Sequence, residues 1–562
     1  MLKFVMQTSE FKPKLFETFH NYKLANFTSD SISSLTVAIV ALPLAMAIAI
    51  ASNLSPEKGL YTAIVAGFLI SAFGGSKYQI GGPTAAFAVT VATVAAKHGY
   101  SGLVLATLMA GIILIIFGLL RGGALIKFIP YPVVTGFTSG IAVLIFFSQL
   151  KDFLGLETPF VPPDFLHKVS VYFDHINTLN PYALFLGATS IATIIFCQKK
   201  IPKVPGPLVV VVLGSLTAYL LDLPVATIEN TFGKIPRSLP MPELPQFSFE
   251  QARAVLPDAI TIAILAGIES LLSAVVADGM TDDRHKPNIE LIAQGVANIA
   301  SVSFGGIPAT GAIARTATNV RSGAFSPISG MLHAVWLAGF MFLFAPFIAK
   351  APLAVLSAIL MVIAWNMAEF KHLRQLLKAP RSDIAVLLTT LILTILVDLN
   401  FAVQAGISLA SLLFIRKMTQ AGDIKEYELV QNSDDPDATS KKVLPPYTHV
   451  YEVVGPLFFG IADKLQDTLS IMKETPKVFI LRMRHVPIID ASGIHALEQF
   501  HNNCSKQNTI LILSGVNEQV LNSLKHIGLD KIIGNENIKS HIDNAIIRAF
   551  EAQNLQAPFC KI

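Results

Sequence analysis

Gly81-Gly82-Pro83-Thr84-Ala85-Ala86 and, far downstream, Pro308-Ala309-Thr310-Gly311-Ala312 are the two stretches whose reading decides the fold. Each follows matching punctuation, Ala72-Phe73-Gly74-Gly75 in the first case and Ser303-Phe304-Gly305-Gly306 in the second, and each precedes a short apolar run. Apolar runs counted outward from them lie near 32–52, 60–73, 83–96, 102–120, 132–150, 181–198 and 207–222. A second set lies near 257–277, 290–303, 311–320, 327–345, 350–367, 382–398 and 401–415. The total is fourteen, seven in each half, and both clusters fall between the second and third run of their half. An odd number of membrane spans per half inverts the second half relative to the first, and paired Gly/Pro-interrupted segments in such repeats point to a transport site. Runs 83–96 and 311–320 are shorter than the roughly 20 residues that cross a 30 Å core, so they read as half-helices.

Composition supports spans rather than soluble domains. Of 562 residues, 52% are hydrophobic and only 14% charged, against about 25% charged in soluble domains, and the mean hydropathy is +0.58. The net charge of +4 is scattered through loops rather than gathered on a basic face, which argues against a nucleic-acid partner. Cys197, Cys504 and Cys560 lack CxxC spacing, so neither a disulfide framework nor a zinc site is expected. The first thirty residues carry Lys3, Glu10, Lys12, Lys14, Glu17 and Lys23 without an apolar core, unlike a signal peptide.

Loop charges give the orientation. With the N-terminus inside, the even-numbered loops hold Lys77, Arg121, Lys127, Lys199, Lys200, Lys203, Arg284, Lys286, Lys371, Arg374, Lys378 and Arg381, then Arg416 and Lys417 after the last span. The opposite loops hold fewer cations, among them Lys58, Lys97, Lys151, Lys168 and Lys350, offset by acids such as Asp152, Asp164 and Asp222. The positive-inside bias therefore predicts a multi-pass protein of the cytoplasmic (inner) membrane with both termini in the cytoplasm.

A broken helix exposes backbone N–H groups that carry roughly half a positive charge, and these can hold an anion without a permanently buried lysine. Gly82, Thr84, Ala85, Ala86, Gly311 and Ala312 are small enough for a ligand to approach the backbone, and Thr84 adds a hydroxyl. Arg315, one turn into the second half-helix, either reinforces that attraction or snorkels to the interface. Glu269 lies mid-span with Ser273 one turn further on the same face. An intramembrane carboxylate is a functional candidate, able to take a cation or a proton; the structural alternative is a hydrogen-bond acceptor between helices. Asp258, Asp278, Asp398 and His333 are weaker candidates.

After Lys417 the composition turns polar at Gln431-Asn432-Ser433-Asp434-Asp435-Pro436-Asp437, and strand-like runs then alternate with amphipathic helices. Strands are expected at His449–Val454, Val478–Arg482 and Thr509–Leu513, with helices starting near Ala462, Ser492 and Asn517, an α/β pattern. In Asp490-Ala491-Ser492-Gly493 the serine stands at a strand-to-helix turn, as a helix cap or as a regulatory phosphorylation or docking point. The expected division is a cytoplasmic segment 1–25, a transmembrane domain 26–420, a linker 421–440 and a soluble domain 441–555.

From about Asn26 to Phe550 the chain resembles the SulP anion permeases, sulfate-permease-like transporters with a C-terminal STAS domain. The motifs are Ala41-Leu42-Pro43-Leu44-Ala45-Met46-Ala47, Gly82-Pro83-Thr84, Tyr131-Pro132-Val133-Val134-Thr135-Gly136-Phe137, Ile268-Glu269-Ser270-Leu271-Leu272 and Asp490-Ala491-Ser492-Gly493. The resemblance implies a seven-plus-seven inverted repeat in core and gate domains, usually dimeric, with the anion between the third and tenth spans. Carried over, Thr84, Ala85, Ala86, Gly311 and Ala312 line the anion site, Leu44 and Ile48 form its apolar wall, and Glu269 with Ser273 serves coupling. In sodium-coupled bicarbonate carriers of the family the acid is Asp and a second hydroxyl follows the Gly-Ala pair. Here that place is Ile313, so the resemblance implies proton coupling.

The expectation is therefore proton-coupled uptake of a small oxyanion, sulfate foremost, by a homodimer that needs no cofactor or metal. Bicarbonate and C4-dicarboxylate carriage, or an anion channel on the same scaffold, are the alternatives. The tail is expected to engage a cytoplasmic protein partner, and no nucleophile, base and orienting group recur at a spacing that suits an enzyme.

Overall fold

The computed structural model describes residues 11–18, 22–124, 130–158, 162, 164–201, 204–243, 248–368, 370–397, 399–421, 423–426, 442–458, 465 and 475–556. The chain forms two compact units, Met1–Ala410 and Ser411–Ile562.

The first unit is helical apart from two short strands. After a short α1 (Lys14–Thr18) come α2 (Leu24–Ala51), α3 (Pro56–Phe73), β1 (Gly81–Gly82), α4 (Ala85–Leu119), α5 (Tyr131–Ser148), α6 (Leu150–Leu154), α7 (Phe165–Asp174), α8 (Pro181–Lys200), α9 (Gly206–Leu220) and α10 (Ile228–Phe232). The second repeat runs through α11 (Phe249–Met280), α12 (Pro287–Ser303), β2 (Thr310–Gly311), α13 (Ile313–Arg321), α14 (Pro327–Ile348), α15 (Leu353–Met367), α16 (Phe370–Leu376), α17 (Arg381–Leu396) and α18 (Leu399–Ala421), the last of which runs across the Ala410 boundary into the second unit. Among the described residues eight stretches are long and apolar enough to cross a membrane, with α5 and α6 counted as one and α15 and α16 as another. The rest of the fourteen are shorter or paired. In α4 a left-handed Gly99 (φ 69°, ψ 178°) separates the third span from the fourth, and α13 has nine residues, about 14 Å of helix. Helices α2 and α11 start several residues before their apolar runs, because Leu24–Ser31 and Phe249–Leu256 continue the helix beyond the apolar core.

Two bundles follow from the packing. Helices α11 and α12 pack on α4, and α14 packs on α2 and α3, which makes one bundle of spans one to four with eight to eleven. In the other, α17 packs on α5, and α15 packs on α5 and α8. Glycines set the crossing of α4 with α12. A Cβ on Gly111 of α4 would stand 2.7 Å from the Gly295 carbonyl oxygen of α12, and one on Gly295 would stand 2.4 Å from that of Gly111. Small residues allow this approach where lipid supplies no hydrophobic drive between helices.

The second unit holds a five-stranded sheet in the order β3 (Asp423–Glu426), β4 (Thr448–Val454), β5 (Val478–His485), β6 (Ile510–Ser514), β7 (Ile538–Lys539). Strands β4 to β7 are parallel, and β3 is antiparallel on the edge. Helices α19 (Ala491–Lys506), α20 (Glu518–Ile527), α21 (Leu529–Ile533) and α22 (Ile542–Ala552) accompany it. The fully buried Phe479, Leu481, Leu497 and Phe500 fill one apolar cluster, and Val478, Ile480, Ile512 and Ala545 fill another, as a parallel sheet covered on both faces requires. The three expected strands are present. Strand β3 lies inside the stretch read as a linker, because Asp423-Ile424-Lys425-Glu426 is polar at three of four positions and gains its pairing only from β4. Asp398, most of the expected linker and the helix expected near Ala462 lie outside the described residues.

Candidate functional site

Strands β1 and β2 pair antiparallel, Gly81 with Gly311 and Gly82 with Thr310, and the Ala312 N–H donates to the Ile80 carbonyl at 2.8 Å. This ladder ties together the starts of α4 and α13. Thr84 and Ala312 stand before those helices in extended conformation, and neither side chain caps the first turn. The leading N–H groups of a helix have no intrahelical partner, so two uncapped, positively polarised ends are held beside one another. Glycine is required here. Gly82 has φ +150°, and a Cβ on it would come 2.7 Å from Nη1 of Arg315. A Cβ on Gly311 would come 1.8 Å from Nε2 of Gln79.

Polar side chains clamp the broken segment. Asn298 of α12 donates to the Ala309 carbonyl and accepts from the Ala309 N–H, both at 2.9 Å. The Thr310 hydroxyl donates to the Ala266 carbonyl at 2.8 Å, and the Ile307 N–H donates to the Thr62 hydroxyl at 2.7 Å. Beneath Gly311, Gln79 donates to Ser270 at 2.7 Å, and Ser270 donates to Glu290 at 3.0 Å. Glu290 also accepts from Gly75 N–H and Gln294. Sequence reasoning missed Gln79, Glu290 and Asn298. The signal was a polar stripe inside an apolar span, Glu290, Gln294, Asn298 and Ser301, spaced as one face of a helix.

The expected site residues assemble as follows. Ala85, Ala86, Gly311 and Ala312 are buried around the two helix starts, and Thr84 is half-buried. Ile48 of α2 is sealed in the same apolar core as Ala85 and Ala86, with Leu44 half-buried at its margin. Arg315 does not snorkel. It is 3% exposed, and its Nη2 donates across to the Pro83 carbonyl at 2.7 Å, leaving Nε and Nη1 buried without a hydrogen-bond partner. A buried guanidinium so placed adds positive charge behind both helix starts. Arg315→Ala is expected to raise the half-saturation concentration of uptake about tenfold with a smaller fall in maximal rate; equal half-saturation would remove Arg315 from binding.

Two hydroxyls are placed differently from expectation. The Thr84 hydroxyl donates to Glu269 at 2.7 Å, so it serves the carboxylate of α11. Ser273 donates to Thr316 of α13 at 2.9 Å rather than to Glu269, and Thr316 also accepts the Ile80 N–H at 3.1 Å. Ile313 is 41% exposed and offers no oxygen.

In the second unit Asp490, not Ser492, caps α19. Its carboxylate accepts from the Gly493 N–H at 2.7 Å, which displaces the cap reading of Ser492, now an exposed residue of the first turn. From the position before the helix the Asp490 carboxylate reaches the orphan N–H that a serine inside the turn cannot. Asp490→Ala is expected to destabilise the isolated domain by about 1 kcal/mol, and Ser492→Ala much less; equal losses in chemical denaturation would restore the serine cap.

The sulfate permease family profile matches residues 27–390, and the STAS domain profile matches residues 441–545. YvdB of Bacillus subtilis (strain 168), a candidate sulfate transporter by name, is 40% identical over 93% of this chain and 98% of its own. The bicarbonate transporter BicA of Picosynechococcus is 30% identical over 90% of this chain and 92% of its own. Among solved structures, the transmembrane domain of a cyanobacterial BicA superposes with a TM-score of 0.63 at 30% identity, over 68% of this chain and 98% of that one. Murine Slc26a9, described as an anion transporter, shares the fold at a TM-score of 0.86 and 17% identity, over 99% of this chain and 95% of that one. The matched profiles, the inverted membrane repeat with its two facing helix starts and the parallel-sheet tail have one reading: the chain belongs to the sulfate permease family and carries a C-terminal STAS domain.

Proposed function

We propose that this anion transporter is a secondary carrier of a small oxyanion, sulfate foremost, driven by protons across the cytoplasmic membrane, with both termini inside. The observation that carries the reading is the Thr84–Glu269 hydrogen bond. It puts a carboxylate against the residue that begins one of the two anion-attracting helices. A negative charge about 6 Å from an anion raises its energy by roughly 3 kcal/mol at an effective dielectric of about 20. A proton on Glu269 removes that repulsion, so anion and proton favour each other's binding, and by linkage to the same extent. Thr84, Ala85, Ala86, Gly311, Ala312 and Arg315 hold the anion, Leu44 and Ile48 form its apolar wall, and Ser273 acts through Thr316 on the start of α13.

Sodium needs several oxygen ligands, and Ile313 contributes none. Bicarbonate is the second reading, favoured by the 30% identity to a bicarbonate transporter. The membrane domain spans 26–420 in this proposal, the chain works as a homodimer, and the STAS domain meets a cytoplasmic protein, with Ser492 exposed for modification. The test is initial uptake into liposomes across a pH gradient with sodium replaced by choline, with sulfate, bicarbonate, fumarate and chloride as competitors. Sulfate uptake that rises as the external pH falls supports the proposal. Sodium-dependent bicarbonate uptake with a flat pH profile overturns it.

A further inference from the structure

A cavity of about 620 Å³ opens at the end of the membrane unit that the loop charges assign to the outside, between the outer ends of α2, α4, α5, α11, α15 and α17. Helix α4 lines it from Val89 to Lys97. At 1.5 Å per residue that stretch starts about 6 Å above Ala85 and ends about 18 Å above it, so the cavity follows the helix whose start belongs to the anion site. Thr90, on its wall, has a buried hydroxyl without a hydrogen-bond partner.

Three lysines and three carboxylates face this space: Lys97, Lys151 and Lys168 against Asp152, Asp164 and Asp258. They are not paired with one another. Asp258 lies 3.3 Å from His98. Asp164 lies 2.7 Å from the His167 ring and accepts the His167 N–H at 3.0 Å, capping α7. Among the described residues none of the three ammonium groups is within ion-pair distance of a carboxylate. Burial lowers the pKa of Lys168 from its ordinary value, with Asp164 opposing only in part. Asp164 and Asp258 thus have local histidine partners and Asp152 feels the neighbouring Lys151, whereas no ammonium group is held in an ion pair that would keep it from an ion from outside.

We propose that this cavity is an outer antechamber, in which Lys97, Lys151 and Lys168 hold a hydrated sulfate-like anion before it passes along α4 to the two helix starts. Thr90 offers a hydroxyl partway. Walls of one sign of charge in a cleft raise the local counter-ion concentration and the on-rate by ten- to a thousandfold, an effect that salt removes, and here the three carboxylates hold it to the lower end. The inference rests on the anion-transport reading, yet the two can fail separately.

The test uses Asn53, exposed on the cavity wall, replaced by cysteine in a Cys560→Ser background; Cys197 and Cys504 are buried. Modification rates by sulfonatoethyl and trimethylammonioethyl methanethiosulfonate are compared in the full-length protein. With the lysines present the anionic reagent is favoured, and the rate ratio is expected to fall about tenfold when all three become Gln. It should be kept when all three become Arg, and should be lost in 1 M salt, where the Debye length is about 3 Å. A ratio unchanged by the Gln substitutions, or lost equally with Arg, overturns the antechamber. In sulfate uptake at low ionic strength the Gln variant should show a half-saturation concentration raised about fivefold at unchanged maximal rate; an equal half-saturation also overturns it. If the unmodified protein takes up no oxyanion, the transport reading fails and the reagent ratio still decides the cavity's charge preference.

Discussion

Ala312→Leu is expected to abolish uptake, by more than a hundredfold, in a protein that still folds. Ala312 is 7% exposed, its N–H is taken by Ile80, and it stands directly before α13, so three added carbons enter the space where an anion would meet backbone N–H groups. The replacement lies at the end of a helix, outside the α4–α12 crossing on which the bundle's packing depends. Ala312→Gly should transport, because it keeps the space open. Retained monodispersity in detergent together with absent uptake is the expected pair of results. Normal uptake by the leucine variant would remove the site from between α4 and α13.

Glu269→Gln should separate exchange from accumulation. The amide keeps the shape of the side chain and can still meet the Thr84 hydroxyl, but it cannot load and release a proton. Labelled anion should therefore exchange across the membrane at equal pH, whereas accumulation driven by a pH gradient should vanish and uptake should lose its pH dependence. One pH unit corresponds to about 1.4 kcal/mol per proton, so wild-type accumulation should change about tenfold per unit for each proton coupled. A variant that still accumulates anion against its gradient would assign coupling to another group.

The spans were legible because a membrane removes ambiguity. Apolar runs report burial in lipid without knowledge of partners, and the half-helices were visible as runs too short to cross. The two Gly/Pro clusters also announced their meeting place, since their spacing repeats in both halves. Side-chain partnerships were not legible to the same degree. The sequence puts Ser273 on the Glu269 face, yet its hydroxyl reaches Thr316 on another helix, and only the crossing of α11 with α13 decides that. Gln79 sits between two recognisable motifs without belonging to either, and its role depends on Gly311, far along the chain, lacking a side chain. Strand β3 failed for a similar reason. An edge strand with polar residues has no period of its own, and its neighbour β4 alone makes it a strand.

The ladder between β1 and β2 has a consequence for how the protein is made. Gly82 and Thr310 are paired but are separated by roughly 230 residues, which at about 5–20 residues per second takes some 10 to 45 seconds to synthesise. Throughout that interval the first repeat has entered the bilayer with the N–H and C=O groups of Gly81 and Gly82 lacking their final partners, in a solvent that supplies none. The unfinished strand must therefore be sheltered by water, by the insertion machinery or by a temporary contact within the first repeat until β2 arrives. The pairing of the two helix starts thus waits for the second repeat, and a nascent chain stalled before Thr310 would be threaded through the membrane without it.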